Sequence, residues 1–109
     1  AMPYADATFD AVVSVFLFHE LPGPARQNVI NEMSRVVKPG GVIVICDSVQ
    51  LLDSPELEET MEAFVQTFHE PYYRDYIRDD LGARLQQAGC EVLRRATYYV
   101  STYTLARKG

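Results

Sequence analysis

Polar side chains that could take part in catalysis follow an apolar run near the start of the chain. Residues 11–18 are apolar except for Ser14, and His19 and Glu20 come directly after them. Imidazole takes up and releases protons near neutral pH, so His19 could act as a general acid or base. The structural alternative is that His19 hydrogen-bonds a loop and that Glu20 is a solvated loop carboxylate.

The apolar run itself predicts a strand that is buried on both faces. It is rich in β-branched and aromatic residues and lacks the polar alternation of a half-exposed strand. Such a strand is typical of the centre of a parallel sheet with helices above and below. Because ligands bind at the carboxyl ends of strands in open α/β sheets, His19 and Glu20 lie where a site is expected.

A helix and a second strand are predicted next. Residues 25–37 carry apolar side chains at helical spacing, and Arg26 falls on the opposite, polar side of that helix. Lys38 to Gly41 is a typical helix end, and residues 42–46 form a short apolar strand. Strand, helix and strand in this order predict a right-handed parallel βαβ unit.

The second half predicts two further helices and a pair of strands. One helix is expected to start at Ser54 and to end at Pro71, with this apolar stripe: Leu57, Met61, Phe64, Val65 and Phe68. The aromatic segment 72–76 is interpreted as a partly ordered connection. Asp79 is expected to cap a short helix. Residues 90–108 are β-prone, and we divide them near residues 99–101 into two antiparallel strands.

Composition restricts the classes of partner. The 109 residues are 48% hydrophobic and carry a formal net charge of -5, which is typical of one globular domain or a piece of one. The acidic balance argues against nucleic acid. No apolar stretch is long enough to span a membrane, and no signal peptide is visible. Cys46 and Cys90 lack metal-ligand spacing, so we expect two reduced core thiols in the cytoplasm and no metal.

Two stretches resemble the second half of a class I S-adenosylmethionine-dependent methyltransferase of the small-molecule group. They are PYADATFDAVVSVFLFHEL and RQNVINEMSRVVKPGGVIVICDS, and the most specific letters run from Met33 to Val44. The resemblance covers residues 3–108. It implies an α/β, Rossmann-like methyltransferase half-domain, a mixed sheet of about four strands with helices packed on it. The last strand would be antiparallel and inserted beside the family's fifth.

The resemblance also implies roles for particular residues. His19 would be a catalytic base, and Val15 and Phe16 would lie against the methionine portion of the cofactor, S-adenosylmethionine. Three residues would border the methyl acceptor, a small molecule: Asp47, Tyr72 and Tyr73. From the residues alone, Val15 and Phe16 are typical of core, Asp47 of a turn, and the tyrosines of aromatic packing at the rim of the sheet.

The chain departs from the family pattern in its glycines. The family binds its cofactor through a glycine-rich loop that follows a strand, whereas Gly40 and Gly41 precede one. We therefore expect residues 2–109 to be the carboxyl-terminal half of a methyltransferase domain, inactive alone. Ala1, ahead of Met2, is expected to be a vector remnant.

A missing neighbour strand predicts self-association. The chain supplies one partner strand for the apolar strand at residues 11–18. The other edge of that strand would therefore carry unpaired backbone donors and acceptors. We expect two copies to pair there, as a symmetric homodimer through Ala11 to Phe18. The alternative function is accordingly a non-catalytic dimerisation or interaction domain derived from a methyltransferase.

Overall fold

A mixed sheet of four strands carries the chain. The computed structural model describes residues 3–15, 17–48, 50, 52–60, 62, 72–98 and 101–109. The strands are β1 (Phe9–Val15), β2 (Val37–Ser48), β3 (Cys90–Tyr98) and β4 (Ser101–Lys108). The α-helices with defined bounds are α1 (Gly23–Val36), α2 (Tyr73–Ile77) and α3 (Leu81–Gln87), and 3-10 turns lie at Phe18–Glu20 and Pro55–Leu57.

The strand order is β1-β2-β4-β3. β1 runs parallel to β2, and α1 connects them, as the sequence predicted. β4 is antiparallel to both of its neighbours, β2 and β3. The predicted α/β fold is therefore confirmed, including the antiparallel last strand beside the chain's second strand.

The first strand is shorter and more exposed than predicted. β1 ends at Val15, and Phe18 lies instead in the 3-10 turn, with its side chain fully buried. Val13 and Val15 are 63% and 60% exposed, so the expected burial of both strand faces is wrong, and so is a core position for Val15. Phe16 lies outside the described residues. The physical reason is that the helices cover the sheet from one side only in the described structure.

One face of the sheet is covered by helices. Paired residues on neighbouring strands share a face, so Ile43, Ile45 and Ala106 point to the same side. They pack in one cluster with residues of the three helices: Ile30, Met33, Tyr76, Ile77, Leu81 and Leu85. We call this side the covered face.

The opposite side of the sheet, which we call the open face, carries the alternate residues. Its members include Val13, Val15, Val42, Val44, Tyr103, Leu105 and Arg107. Val13, Val15 and Tyr103 are among the large apolar or aromatic side chains that the fold leaves exposed. Apolar residues therefore line both faces, but the buried cluster lies on one.

The junction between α1 and β2 differs from the prediction. β2 begins at Val37, directly after α1, whereas a strand start at Val42 was expected. The register against β1 shifts here, because Phe9 pairs with Val37 and Ala11 with Val42. Within this irregularity a Cβ at Gly41 would lie 2.7 Å from the Asp10 carbonyl oxygen, which requires glycine.

Two predictions for the helices of the second half are corrected. The segment 72–76, expected to be partly ordered, contains most of helix α2, because Tyr76 is fully buried and anchors it in the core. Asp80, not Asp79, caps α3, since its Oδ1 accepts a hydrogen bond of 3.1 Å from the Ala83 amide. Asp79 is instead engaged by arginines.

The remaining predictions concern the strands, the long helix and the cysteines. The division of residues 90–108 near residues 99–101 is confirmed by the bounds of β3 and β4. The helix predicted from Ser54 begins as the turn Pro55–Leu57, and its apolar stripe beyond that turn lies outside the described residues. Cys46 and Cys90 are buried free thiols, which confirms their core placement. No helix in the described ranges is long and apolar enough to cross a membrane.

Candidate active site

His19 and Asp47 meet at the carboxyl end of the parallel strand pair. Val15 ends β1 and pairs with Cys46 of β2, so Asp47, the next residue of β2, lies at the same edge of the sheet as the residues that follow β1. The Nδ1 atom of His19 lies 2.8 Å from Oδ1 of Asp47. The sequence placed each residue at this edge but did not predict their contact, which depends on the turn at Phe18–Glu20.

The Asp47 carboxylate is buried and has three donors. Its side chain is 1% exposed, and it accepts hydrogen bonds from the Phe18 amide at 2.6 Å and the Ser48 amide at 2.8 Å, besides the contact with His19. Burying a carboxylate is costly unless it is hydrogen-bonded, and these donors meet that requirement. A contact between Asp47 and the methyl acceptor stays a prediction. The burial of the Asp47 carboxylate favours another role, which is to orient His19.

The contact with Asp47 determines which His19 nitrogen carries hydrogen. A carboxylate only accepts hydrogen bonds, so Nδ1 is the donor and, in the neutral ring, Nε2 keeps the lone pair. Nε2 lies 3.9 Å from Oε1 of Glu20. A histidine oriented by a carboxylate in this way is suited to accept a proton at Nε2.

Tyr76 packs behind this pair. Its hydroxyl donates to the Ser48 carbonyl oxygen at 2.5 Å, and its ring meets the His19 ring edge to face at 6.4 Å between centroids. The buried side chain of Gln50 donates to the Tyr76 carbonyl oxygen at 2.8 Å. Tyr76 therefore supports the site from inside.

Arg26 is the residue near the site that sequence reasoning missed. It lies on the polar stripe of α1, yet its side chain is 0% exposed. Its Nη1 lies 2.7 Å from Asp79 and 2.9 Å from Asp75, and its guanidinium lies over the Tyr76 ring. The available signal was its place near the start of α1, where the helix dipole disfavours a cation that lacks acidic partners.

Two further contacts connect Arg26 with main-chain carbonyl oxygens of two separate segments. Nε donates to the Phe18 carbonyl oxygen at 3.3 Å, and Nη2 donates to the Tyr72 carbonyl oxygen at 3.2 Å. The guanidinium thus bridges the turn that carries His19 and the segment that leads into α2.

Two carboxylates near the site are held by arginines. Burial opposes the ionisation of Asp79, but hydrogen bonds from Arg84 and Arg26 outweigh it and lower the pKa of Asp79. Burial likewise opposes the ionisation of Asp53, and the hydrogen bond from Arg95, 2.6 Å from Nε, leads a group of contacts that lower the pKa of Asp53. Both groups are therefore ionised in the folded protein near neutral pH.

Comparison with known proteins agrees with this architecture. A family model described as a methyltransferase domain matches residues 1–45. An uncharacterized methyltransferase of Synechocystis sp. is 30% identical over 100 residues, which are 89% of this chain and 45% of that protein. The sarcosine/dimethylglycine N-methyltransferase of Halorhodospira halochloris is 35% identical over 82 residues, 72% of this chain and 29% of that protein.

A solved structure gives the same picture of the fold. A SAM-dependent methyltransferase from Methanosarcina mazei superposes with a TM-score of 0.68 over 99% of this chain and 63% of that one, at 18% identity. In sequence and in fold, the chain is therefore similar to methyltransferases. It spans less than half the length of the two curated methyltransferases above.

An apolar groove lies beside β1. It encloses about 370 Å³ and is lined by Val12, Val13, Ser14, Val15, Leu17, Val29 and Met33. The Ser14 hydroxyl is buried there and has no hydrogen-bond partner among the described residues. The apolar lining fits only the methylene carbons of S-adenosylmethionine, and these residues offer no acidic partner for a ribose.

The structure describes the other predicted site residues only in part. Tyr72 is 44% exposed, and its carbonyl oxygen contacts Arg26. Tyr73 begins α2, but its side chain lies outside the described part of the structure, as does Phe16. Within the described residues, no group of three His, Cys, Asp or Glu side chains could hold a metal ion.

Proposed function

We propose that residues 2–109 are the carboxyl-terminal part of an S-adenosylmethionine-dependent methyltransferase domain whose acceptor is a small molecule. The observation that carries the proposal is the contact between His19 and buried Asp47 at the carboxyl edge of a methyltransferase sheet. The Halorhodospira halochloris relative is named for sarcosine and dimethylglycine, which supports a small acceptor for this chain too.

His19 is the proposed proton acceptor. The proton of an acceptor hydroxyl or ammonium group passes to Nε2, while Nδ1 keeps its hydrogen bond to Asp47. The Asp47 carboxylate holds the ring orientation and stabilises the imidazolium that forms. When bound, S-adenosylmethionine supplies an electrophilic methyl group on a positively charged sulfur.

Val15 and Phe16 are the proposed contacts of the cofactor's methionine portion. The exposure of Val15 at the end of β1 and the apolar groove beside it support this assignment. Because these residues would hold one part of the cofactor, we expect weak binding and no methyl transfer by this chain alone. Tyr72 and Tyr73 stay proposed acceptor contacts. The free thiols of Cys46 and Cys90 fit a reducing compartment, and we place the protein in the cytoplasm.

A titration of the ¹⁵N-labelled 109-residue chain with S-adenosylmethionine tests the proposal. The expected result is a set of NMR shift changes centred on Val15, Phe16, Leu17 and His19, with no such changes when NAD⁺ is added at the same concentration. Val15→Glu should abolish them without unfolding the chain, because Val15 is exposed. Equal shifts with both ligands, or none at millimolar cofactor, would contradict the assignment.

The imidazole tautomer tests the role of His19 separately. Asp47→Asn can present its amide hydrogens to Nδ1, so the ring is expected to change to the Nε2–H form and lose its acceptor at Nε2. The ¹⁵N shifts of the ring nitrogens report the two forms. Wild-type protein in the Nε2–H form would contradict the proposed role.

The second candidate function is a non-catalytic dimerisation domain. The exposure of Val13 and Val15 at the edge strand favours it. Because Phe18 is buried in a 3-10 turn, we shorten the proposed pairing segment of the homodimer from Ala11–Phe18 to residues 11–15. Light scattering tests it: a dimer mass at micromolar concentration is expected, and a monodisperse monomer would contradict it.

A further inference from the structure

Buried charged side chains hold the main chain of Phe18 at both its amide and its carbonyl group. Its amide donates to Oδ2 of Asp47 at 2.6 Å, and its carbonyl oxygen accepts from Nε of Arg26 at 3.3 Å. His19 is the next residue along the chain. The position of its imidazole therefore depends on Arg26 as well as on Asp47.

The same guanidinium holds the other side of the site. Nη2 of Arg26 donates to the Tyr72 carbonyl oxygen at 3.2 Å, and Nη1 contacts Asp79 at 2.7 Å. Tyr72 and Asp79 flank helix α2, whose Tyr76 ring packs against both Arg26 and His19. One side chain thus contacts the start and the end of the segment 72–79.

The stability of the fold does not by itself require a charged residue at position 26. A buried ion pair is often no more stabilising than apolar residues of the same volume, and a cation near a helix start opposes the dipole. The arginine fork offers five donors in a fixed plane, which a lysine ammonium cannot reproduce. Its geometry suits a residue that has to connect several fixed acceptors at once.

We propose that Arg26 is a positioning residue of the candidate site, joining the His19 turn and the segment 72–79 into one unit. We call the His19 turn and the segment 72–79 the two walls of the site, between which the acceptor would bind. Arg26 then fixes the position of each wall relative to the other. The statement about the acceptor rests on the proposed function. The connection between the walls does not, because it can be measured without any ligand.

Native-state hydrogen exchange on the wild-type chain is the first test. The amides of Phe18 and Leu21 on one wall and of Tyr76 and Asp79 on the other are all hydrogen-bonded. If Arg26 joins the walls, these four amides open with the same protection factor and the same denaturant dependence, below those of Ile45 in the sheet. Two clearly different protection levels for the two walls would overturn the proposal.

Arg26→Lys is the second test, with Arg84→Lys as its matched control. Both arginines contact Asp79 at 2.7 Å, but Arg84 makes its other side-chain contact with Gln27. We expect Arg26→Lys to speed exchange about tenfold or more at both walls, since hydrogen bonds from a charged donor are lost. The His19 ring signals should shift with it, and Ile45 should be unchanged.

The control separates positioning from general stability. Arg84→Lys should leave the His19 ring signals unchanged and should speed the exchange of these four amides less than Arg26→Lys does. Uniform acceleration of every amide in Arg26→Lys, including that of Ile45, would indicate a role in stability alone and overturn the proposal. Titration with S-adenosylmethionine tests the proposed function independently, so failure of either is recognised separately.

Discussion

The covered and open faces of the sheet are built from the same apolar residue types and end in different surroundings. Ile43 and Ile45 are at most 1% exposed, while Val13 and Val15 on the other face are at least 60% exposed. Residue type therefore does not distinguish them. The described helices bury their apolar residues on one side of the sheet. An apolar strand therefore indicates that its faces can be buried, but it does not indicate which element covers each face.

Charged residues separate in the same way. On the covered side, Asp47 and Asp53 are buried and receive hydrogen bonds from His19 and Arg95. In the Glu91–Arg107 ion pair between β3 and β4, both side chains are more than half exposed. Low polarity around the first group strengthens each contact, whereas water screens the second. The candidate site thus lies on the side where helices exclude water.

Alanine substitution on the two faces should give the largest difference. Ile45→Ala is expected to lower the free energy of unfolding by about 2–5 kcal/mol, through lost burial and the cavity left behind. Val13→Ala, on the open face, should change it by less than about 0.5 kcal/mol. Urea denaturation followed by circular dichroism measures both. Similar losses for the two variants would show that the open face is buried in solution.

The carboxylate between two arginines should give the next largest effect. Asp79→Asn is expected to lower the free energy of unfolding at neutral pH by about 1.5–3 kcal/mol, because charged hydrogen bonds to Arg26 and Arg84 are lost. Thermal unfolding of the variant and wild type gives the difference. Asp10→Asn is the control, because its partner Lys38 is 3.4 Å away and Asp10 is almost fully exposed.

The pH dependence of that effect has a definite sign. The pKa of Asp79 is lowered by folding from an ordinary value of 3.8, so its contribution is complete above that value. It is lost as the pH falls below 3.8 towards the lower pKa of the folded state. The stability difference between wild type and Asp79→Asn should therefore shrink on acidification below pH 4 or so. A difference that is constant with pH would contradict the lowered pKa.

A charge on the open face should change association more than stability. Val15→Lys is expected to change the free energy of unfolding of the monomer by less than about 0.5 kcal/mol, since the side chain is exposed. If two copies pair through residues 11–15, the variant should be monomeric at concentrations where the wild type is a dimer. Light scattering at matched concentrations measures the change. Undiminished dimerisation would place the interface elsewhere.

The exposed ion pair should give the smallest effect. Glu91→Gln removes a contact of 3.3 Å with Arg107 between exposed side chains and should cost at most about 0.5 kcal/mol. The loss should vanish in 1 M salt or so, because screening is then nearly complete. A loss that persists at high salt would indicate that the pair is shielded from water.

Much of the fold could be predicted because its signals are local. The apolar spacing of residues 25–37 indicated α1, and the β-prone residues 90–108 indicated the β3–β4 pair. The polar residues after the two apolar runs, 11–18 and 42–46, also identified the correct edge of the sheet. Strand limits were less accurate, since Phe18 is as apolar as its neighbours and leaves β1 only because the 3-10 turn buries it.

The amino-acid sequence alone determined the order of strands and helices and the edge where His19 and Asp47 lie, because periodicity and turn residues act over a few positions. The tertiary structure decided which face of the sheet is covered, the contact of His19 with Asp47 28 residues away, and the burial of Arg26 against Asp79 53 residues away. Such contacts form when helices pack on the sheet and exclude water, and a buried charge is then held by the partners that packing brings to it.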